Sequence, residues 1–226
     1  MKLKNALIIF IKTPIPGLVK TRLQPDLSKE ESAELYAAFL KDLDHRLYNQ
    51  QGFTCWYAVS PENFHKNDLD QIIHMDNYFL QYGSDLGKRM DHAFQFLFSK
   101  GYEKIVLIGS DLLSITSDTI RQALEGLESE DCILGPSKDG GYYLIALFQL
   151  YSEIFENLPW STSKVLEKTI EILNKKELTY ALLPEHEDID TYKELNSYYQ
   201  ELKSKPKSDP DFPKHSWKIL NKIFAH

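Results

Sequence analysis

Ala6-Leu-Ile-Ile-Phe-Ile11 is a continuous apolar run, and Lys12-Thr-Pro-Ile-Pro-Gly-Leu-Val-Lys-Thr-Arg22 follows it directly. A short apolar run bounded by a Pro- and Gly-bearing loop reads as a strand buried on both faces. Ser28-Lys-Glu-Glu31 then forms a capping box that opens a long helix to about Tyr48. Strand, stiff loop and helix in that order make the first part of a βαβ unit. The pattern recurs along the chain. Thr54–Val59, Ile105–Gly109, Cys132–Leu134 and Tyr142–Leu147 read as strands, with Tyr78–Gln81 and Tyr180–Leu183 as weaker ones. Helical periodicity covers Asp85–Ser99, Ser117–Leu127, Val165–Leu173 and Thr191–Leu202, the last opening on a second capping box, Thr191 to Glu194. This alternation predicts an α/β fold with a mostly parallel central sheet. Ligands of such sheets bind beyond the carboxyl ends of the strands, so the informative residues should lie just after them.

Bulk properties narrow the choices. The chain has 226 residues, 42% apolar and 26% charged, with a formal net charge of −7. That length suits one α/β domain, expected over 1–203. A charged, Pro-rich loop from Lys203 to Pro213 and a short amphipathic helix, His215–Phe224, are expected to dock back on it as 204–226. An acidic balance argues against broad nucleic-acid binding while leaving room for a small basic pocket. The start, Met1 to Ile11, loosely imitates a secretory leader, but its apolar part is too short and Lys12 ends it. No stretch reaches transmembrane length. Cys55 and Cys132 sit in strand-like runs and read as buried thiols. A cytoplasmic location is expected, with oligomeric state open between monomer and homodimer.

Six segments carry chemistry. Lys12, Lys20 and Arg22 place three cations in the loop after the first strand, where Pro14, Pro16 and Gly17 stiffen and turn the backbone. Such a loop can cradle a polyphosphate or be an ordinary solvated turn. Ile105-Val-Leu-Ile-Gly-Ser-Asp111 puts a carboxylate at the ligand edge of the sheet, either holding Mg²⁺ or Mn²⁺ or capping the following turn. Leu134-Gly-Pro-Ser-Lys-Asp-Gly-Gly-Tyr-Tyr143 carries Asp139, Gly140 and Gly141, either as a hairpin turn alone or as one that also touches ligand. Asp188 and Asp190, one residue apart, face the same side if extended and can share a cation, or they can begin a helix. In Pro159-Trp-Ser-Thr162, Ser161 or Thr162 reads as a helix cap, and Trp160 offers a ring for a base or sugar. In Gln81–Met90, Asp85 can cap while Lys88 and Arg89 are either solvated or near ligand.

Taken together, Lys12 to Leu23, Gln81 to Met90, Gly135 to Leu147 and Asp188 to Thr191 resemble the bacterial DUF2064 proteins, also labelled transferase 1 of the radical-SAM/selenodomain-associated group. These fall in the nucleotide-diphospho-sugar transferase (GT-A) superfamily. A more distant resemblance reaches 2-phospho-lactate guanylyltransferase and the molybdenum-cofactor nucleotidyltransferases. The likeness runs from about Ala6 to Leu195. It implies a three-layer α/β/α sandwich and a nucleotide or nucleotide-sugar ligand with a small-molecule acceptor. It implies that the loop with Lys12, Pro16, Gly17, Lys20, Thr21 and Arg22 holds phosphates, and Asp85, Gly140 and Gly141 are expected beside the nucleotide. It makes Asp111 the metal-binding acid and Asp190 the second ligand of a Mg²⁺ or Mn²⁺ ion. Relatives usually carry a Pro shortly after the Gly-Ser-Asp acid, whereas this chain has Leu112-Leu113-Ser114, which leaves the shape of that loop and of the acceptor pocket open. The leading expectation is glycosyl transfer from a nucleotide-sugar, with Asp139 as acceptor-side base. The alternatives are nucleotidyl transfer from a nucleoside triphosphate and a non-catalytic nucleotide-binding module.

Overall fold

The computed structural model describes residues 4–61 and 64–224, so the first three residues of the leader-like start lie outside the described residues. The elements run β1 (Asn5–Lys12), α1 (Lys29–Leu47), β2 (Thr54–Ser60), α2 (Lys66–Asp70), β3 (Tyr78–Leu80), α3 (Leu86–Ser99), β4 (Lys104–Ile108), α4 (Ser117–Gly126), β5 (Cys132–Pro136), β6 (Tyr142–Leu147), α5 (Val165–Lys175), β7 (Tyr180–Leu182), α6 (Tyr192–Ser204) and α7 (Lys214–Phe224). One-turn 3₁₀ helices occupy Thr21–Leu23 and Ser152–Phe155. The seven strands form one sheet in the order β3-β2-β1-β4-β6-β5-β7. Every neighbouring pair is parallel except those made by β6, which runs antiparallel to β4 and β5.

The central strands are apolar on both faces because both faces are covered. Ala6 to Ile9 are fully buried, as are Ile105 and Val106 of β4 and Leu144 to Leu147 of β6. Leu7, Ile9 and Ile11 point to a core shared with α1, α4, α6 and α7. Ala6 and Ile8 point the other way, to a core shared with α3 and α5. Each large aliphatic side chain so buried contributes about 1.5–3 kcal/mol. The result is the three-layer sandwich that the family resemblance implies. Cys55 and Cys132 are buried, unpaired thiols in β2 and β5.

Both capping boxes form, Ser28 with Glu31 and Thr191 with Glu194. Of two other cap expectations, the one at Asp85 is met and the one at Ser161 or Thr162 needs correction. Asp85 is not within α3 but caps it, accepting the Lys88 N–H at 2.9 Å. Neither Ser161 nor Thr162 caps α5: its N-cap is Lys164, with no side-chain hydrogen bond, and the Thr162 hydroxyl is spent on the Pro159 carbonyl at 2.7 Å. At the chain's end, α7 packs on α1, and Asp42 of α1 accepts the backbone N–H groups of His215 and Ser216. A buried carboxylate thus serves as a remote cap, satisfying donors that the helix itself leaves unpaired. Among the described residues, no helix is long and apolar enough to cross a membrane.

Candidate functional site

The parallel register brings the ends of β1 and β4 side by side, so Lys12 and Asp111 leave the sheet at the same edge. Because β6 is antiparallel to β4, its beginning lies at that edge too. A cleft of about 530 Å³ opens there, a volume suited to a nucleotide-sized ligand. Lys12, Lys20, Thr21, Arg22, Asp111, Asp139, Gly141, Asp188 and Asp190 all line it. Pro16, Gly17, Asp85 and Gly140 do not, although the sequence placed them beside the nucleotide.

The reasons are local. Gly17 has φ 85° and turns the loop, and Asp85 is engaged at the head of α3. Gly140 has φ 88°, and a Cβ there would fall 2.2 Å from the Ser163 carbonyl oxygen, so it is a packing glycine behind the turn. Asp139 is exposed and accepts the Gly141 N–H at 2.9 Å, closing an Asx turn between β5 and β6. The segment is therefore a hairpin turn whose Asp139 and Gly141 line the cleft.

One wall of the cleft is charged and internally paired. Lys20, whose side chain is only 3% exposed, lies 2.6 Å from Asp111 and 3.6 Å from Asp190, and donates to the Ile189 carbonyl at 2.6 Å. Arg22 reaches the other Asp190 oxygen at 3.0 Å. Asp111 does not cap a helix: Thr116 caps α4. Asp188 accepts the Ser137 hydroxyl at 2.7 Å. Burial pushes the Asp188 carboxyl up to about 6; the Ser137 bond works against this, while the nearby charges of Asp111, Asp139 and Asp190 add to it.

Behind this wall, Tyr36 of α1 ties two loops together. Its hydroxyl accepts the Lys12 N–H at 3.0 Å and lies 2.8 Å from the Ser110 hydroxyl. Burial, helped by the Asp111 charge, pushes that hydroxyl far above its ordinary range, so it stays neutral. The loop carrying Leu112-Leu113 in place of proline is also fixed. Both leucines are buried, and Arg46 donates to the carbonyls of Leu113 at 2.6 Å and Ile115 at 2.8 Å. Neither Tyr36 nor Arg46 stands out in the sequence, where both fit the buried stripe of a long helix.

The opposite wall is largely apolar: Leu86 and Met90 of α3, Val165 of α5, Tyr142 and Trp160. Trp160 meets Tyr142 edge-to-face at 6.4 Å. Two polar groups interrupt it. Gln81 donates its side-chain amide to the carbonyls of Ala58 at 2.9 Å and Ile11 at 3.2 Å. Both partners only accept, so the amide nitrogen is committed and the amide oxygen remains as the acceptor. Arg89 spends Nε on the Gly83 carbonyl at 3.2 Å, and its terminal nitrogens have no partner among the described residues. Lys12 likewise has no ion pair among the described residues, while Lys88, outside the cleft, pairs with Glu156 at 3.5 Å.

The donor chemistry fits a hard divalent ion: the carboxylates of Asp111, Asp188 and Asp190 line one side of the cleft, with the Ile189 carbonyl beside Lys20. Yet no group of three or more such side chains is gathered to hold an ion among the described residues, and the Lys20 ammonium stands between Asp111 and Asp190.

Comparison with known proteins agrees with this architecture. The family described as "Uncharacterized protein conserved in bacteria (DUF2064)" matches residues 46–162, just over half the chain. The 2-phospho-L-lactate guanylyltransferase of Methanobrevibacter smithii is 28% identical over 125 residues, 54% of this chain and 53% of its own, so the likeness spans about half of that relative. A structure from Desulfovibrio desulfuricans G20, provisionally named a nucleotide-diphospho-sugar transferase, aligns with a TM-score of 0.85 at 28% identity over 98% of both chains. A cytidylyltransferase of Leptospira borgpetersenii shares the fold with a TM-score of 0.56 at 13% identity, covering 97% of this chain and 94% of its own. All three are named as transferases. With the cleft at the carboxyl edge of a mostly parallel sheet and the family match across its centre, the chain belongs to the DUF2064 family and has the nucleotide-diphospho-sugar transferase fold.

Proposed function

We propose that this protein transfers a nucleotidyl group from a nucleoside triphosphate to a phosphorylated or carboxylated small molecule, releasing pyrophosphate. The observation that carries this reading is the distribution of charge in the cleft. Lys12 and Arg89 have no ion pair among the described residues, while Asp139, the acid expected to serve as base, holds its own turn through one carboxylate oxygen. Transfer to a neutral hydroxyl needs a base at the acceptor. A phosphate or carboxylate oxygen is already anionic, so it needs cations to hold it and no base. The names of the guanylyltransferase and cytidylyltransferase relatives support the same choice over glycosyl transfer.

In this reading Lys12 and Arg22 bind phosphate oxygens, Arg22 through its forked guanidinium. The apolar wall with Trp160, Met90 and Leu86 receives the nucleoside, and the Gln81 amide oxygen accepts from it. Asp111 and Asp190 would hold a divalent ion, Mg²⁺ or Mn²⁺, which when bound neutralises charge on the phosphates. Tyr36 keeps the two loops in register, and the apolar wall excludes water from the cleft.

The test is pyrophosphate release from ATP, CTP, GTP and UTP with Mg²⁺ and a panel of phosphorylated and carboxylated acceptors. Release with one triphosphate, abolished by chelator, is expected. Nucleoside diphosphate release from a sugar nucleotide instead would establish glycosyl transfer, the reading favoured by the name of the Desulfovibrio structure.

A further inference from the structure

The two acids best placed to hold a metal are occupied by the chain's own cations. The Lys20 ammonium has three oxygen neighbours, at 2.6 Å (Asp111), 2.6 Å (Ile189 carbonyl) and 3.6 Å (Asp190). Two of these lie within hydrogen-bond reach of the ammonium, and the third is an ion-pair contact. It also lies 5.7 Å from the Phe39 ring centre, and its side chain is almost wholly removed from solvent. Its backbone is left-handed, φ 46° and ψ 43°, a region that a residue with a Cβ enters at a cost. Arg22 takes the remaining Asp190 oxygen. A long, flexible side chain has thus been ordered, buried and bent back onto two carboxylates.

We propose that Lys20 is a resident stand-in cation: it keeps the metal position between Asp111 and Asp190 filled in the free protein and leaves it when a metal-nucleotide complex arrives. This rests on the reading of the cleft as a metal-nucleotide site. The physical grounds are direct. A divalent ion takes carboxylate oxygens at about 2.0–2.6 Å and uses the same lone pairs that Lys20 now holds, so ion and ammonium exclude each other. Without either, Asp111 would lose its nearest cation and Asp190 would keep only the exposed Arg22, with Asp188 close by, and like charges there repel. A triphosphate supplies what Lys20 needs in order to leave: a multiply charged anion within the same cleft, to which its ammonium can turn while the ion takes its place. Metal and nucleotide then bind with positive coupling, each increasing the affinity of the other. Lys20 is in this sense a positioning residue for the metal as well as a phosphate ligand.

The experiment is a Mn²⁺ titration followed by electron paramagnetic resonance, which reads free ion directly and needs no turnover. It uses the full chain as wild type, Lys20→Met and Lys20→Gln, each with and without ATP, CTP, GTP or UTP. Lys20→Gln keeps a hydrogen-bond donor and guards against a folding defect in Lys20→Met; thermal melts confirm that each variant is folded. The expected result is weak Mn²⁺ binding by wild type alone, at least tenfold tighter binding by either Lys20 variant alone, and loss of that gain when Asp111→Asn is added. One nucleotide should tighten Mn²⁺ binding to wild type beyond what the nucleotide binds in solution, and should do so less in the Lys20 variants. Equal Mn²⁺ affinity in wild type and folded Lys20 variants, with nucleotide-dependent binding intact, would overturn the stand-in role and leave the proposed function standing. No Mn²⁺ binding by any form, with or without nucleotide, would overturn both.

Discussion

The two walls of the cleft solve opposite problems. On the α1 and α6 side, Lys20, Arg22, Asp111 and Asp190 satisfy one another, so charge is stored in pairs. On the α3 and α5 side, Leu86, Met90, Trp160 and Val165 form an apolar surface in which the Arg89 terminal nitrogens and the Gln81 oxygen have no partner among the described residues. The first wall is self-compensated and needs a highly charged ligand to rearrange it. The second is already shaped for a flat, weakly polar one. A metal-bound triphosphate attached to a nucleoside is such a molecule at its two ends.

Breaking the charged wall should give the largest effect. Asp111→Ala removes the acid nearest Lys20, and we expect turnover to fall by about 10²–10³-fold, the scale of losing one electrostatic contact in a transition state. Asp111 is half exposed but Lys20 beside it is buried, so a thermal melt alongside steady-state pyrophosphate release separates lost stability from lost turnover. The scaffold behind that wall comes next. Arg46→Met leaves the carbonyls of Leu113, Ile115 and Asp211 without their donor, and should cost about 2–4 kcal/mol in urea unfolding. A loss below 0.5 kcal/mol would mean that the loop behind Asp111 is held by its buried leucines alone.

The apolar wall is probed by Arg89→Met, which keeps the stem and removes the free donors. We expect KM for the triphosphate to rise roughly tenfold, about 1.4 kcal/mol, with kcat changed far less. A fall in kcat at unchanged KM would move Arg89 to the reacting centre. The smallest effect concerns pH. Burial raises Asp188 to about 6, so between its ordinary value and 6 the folded protein holds a proton that the unfolded chain has lost. Stability from this group is therefore full below the ordinary carboxylate range and declines as pH rises to about 6. Asp188→Asn should flatten that decline in metal-free protein; unchanged slopes between pH 4 and 7 would contradict it.

Much of the fold was legible because its signals are local. An apolar run, a Pro-Gly loop and a capping box specify β1, its loop and α1 without reference to the rest of the chain. The same rule, that ligand residues follow strands, pointed to Lys12, Lys20, Arg22 and Asp111, which all line the cleft. It did not apply to β6, which is antiparallel and offers its beginning, not its end, to the cleft; only the Asp139-Gly140-Gly141 turn marked that segment. What stayed hidden depends on distance along the chain. The pairing of Lys20 with Asp111 and Ile189 joins residues far apart in sequence, so the cation and the acid were each legible but not their union. Tyr36 and Arg46 look like any member of a buried helical stripe, and Gln81 declares itself only through the carbonyls it reaches. The cap expected at Ser161 or Thr162 failed because the Thr162 hydroxyl turns back to Pro159 and Lys164 begins the helix.

The most direct measurement is a thermal-shift panel of nucleoside triphosphates, nucleoside diphosphates and sugar nucleotides, each with Mg²⁺, Mn²⁺ or chelator. A ligand that binds only the folded state adds about 2.7 kcal/mol at a hundredfold excess over its Kd. We predict a shift with one nucleoside triphosphate that requires the metal and is lost in Asp111→Ala. A shift with a sugar nucleotide and none with any triphosphate, or no shift with any nucleotide, would contradict the assignment of this cleft to nucleotidyl transfer.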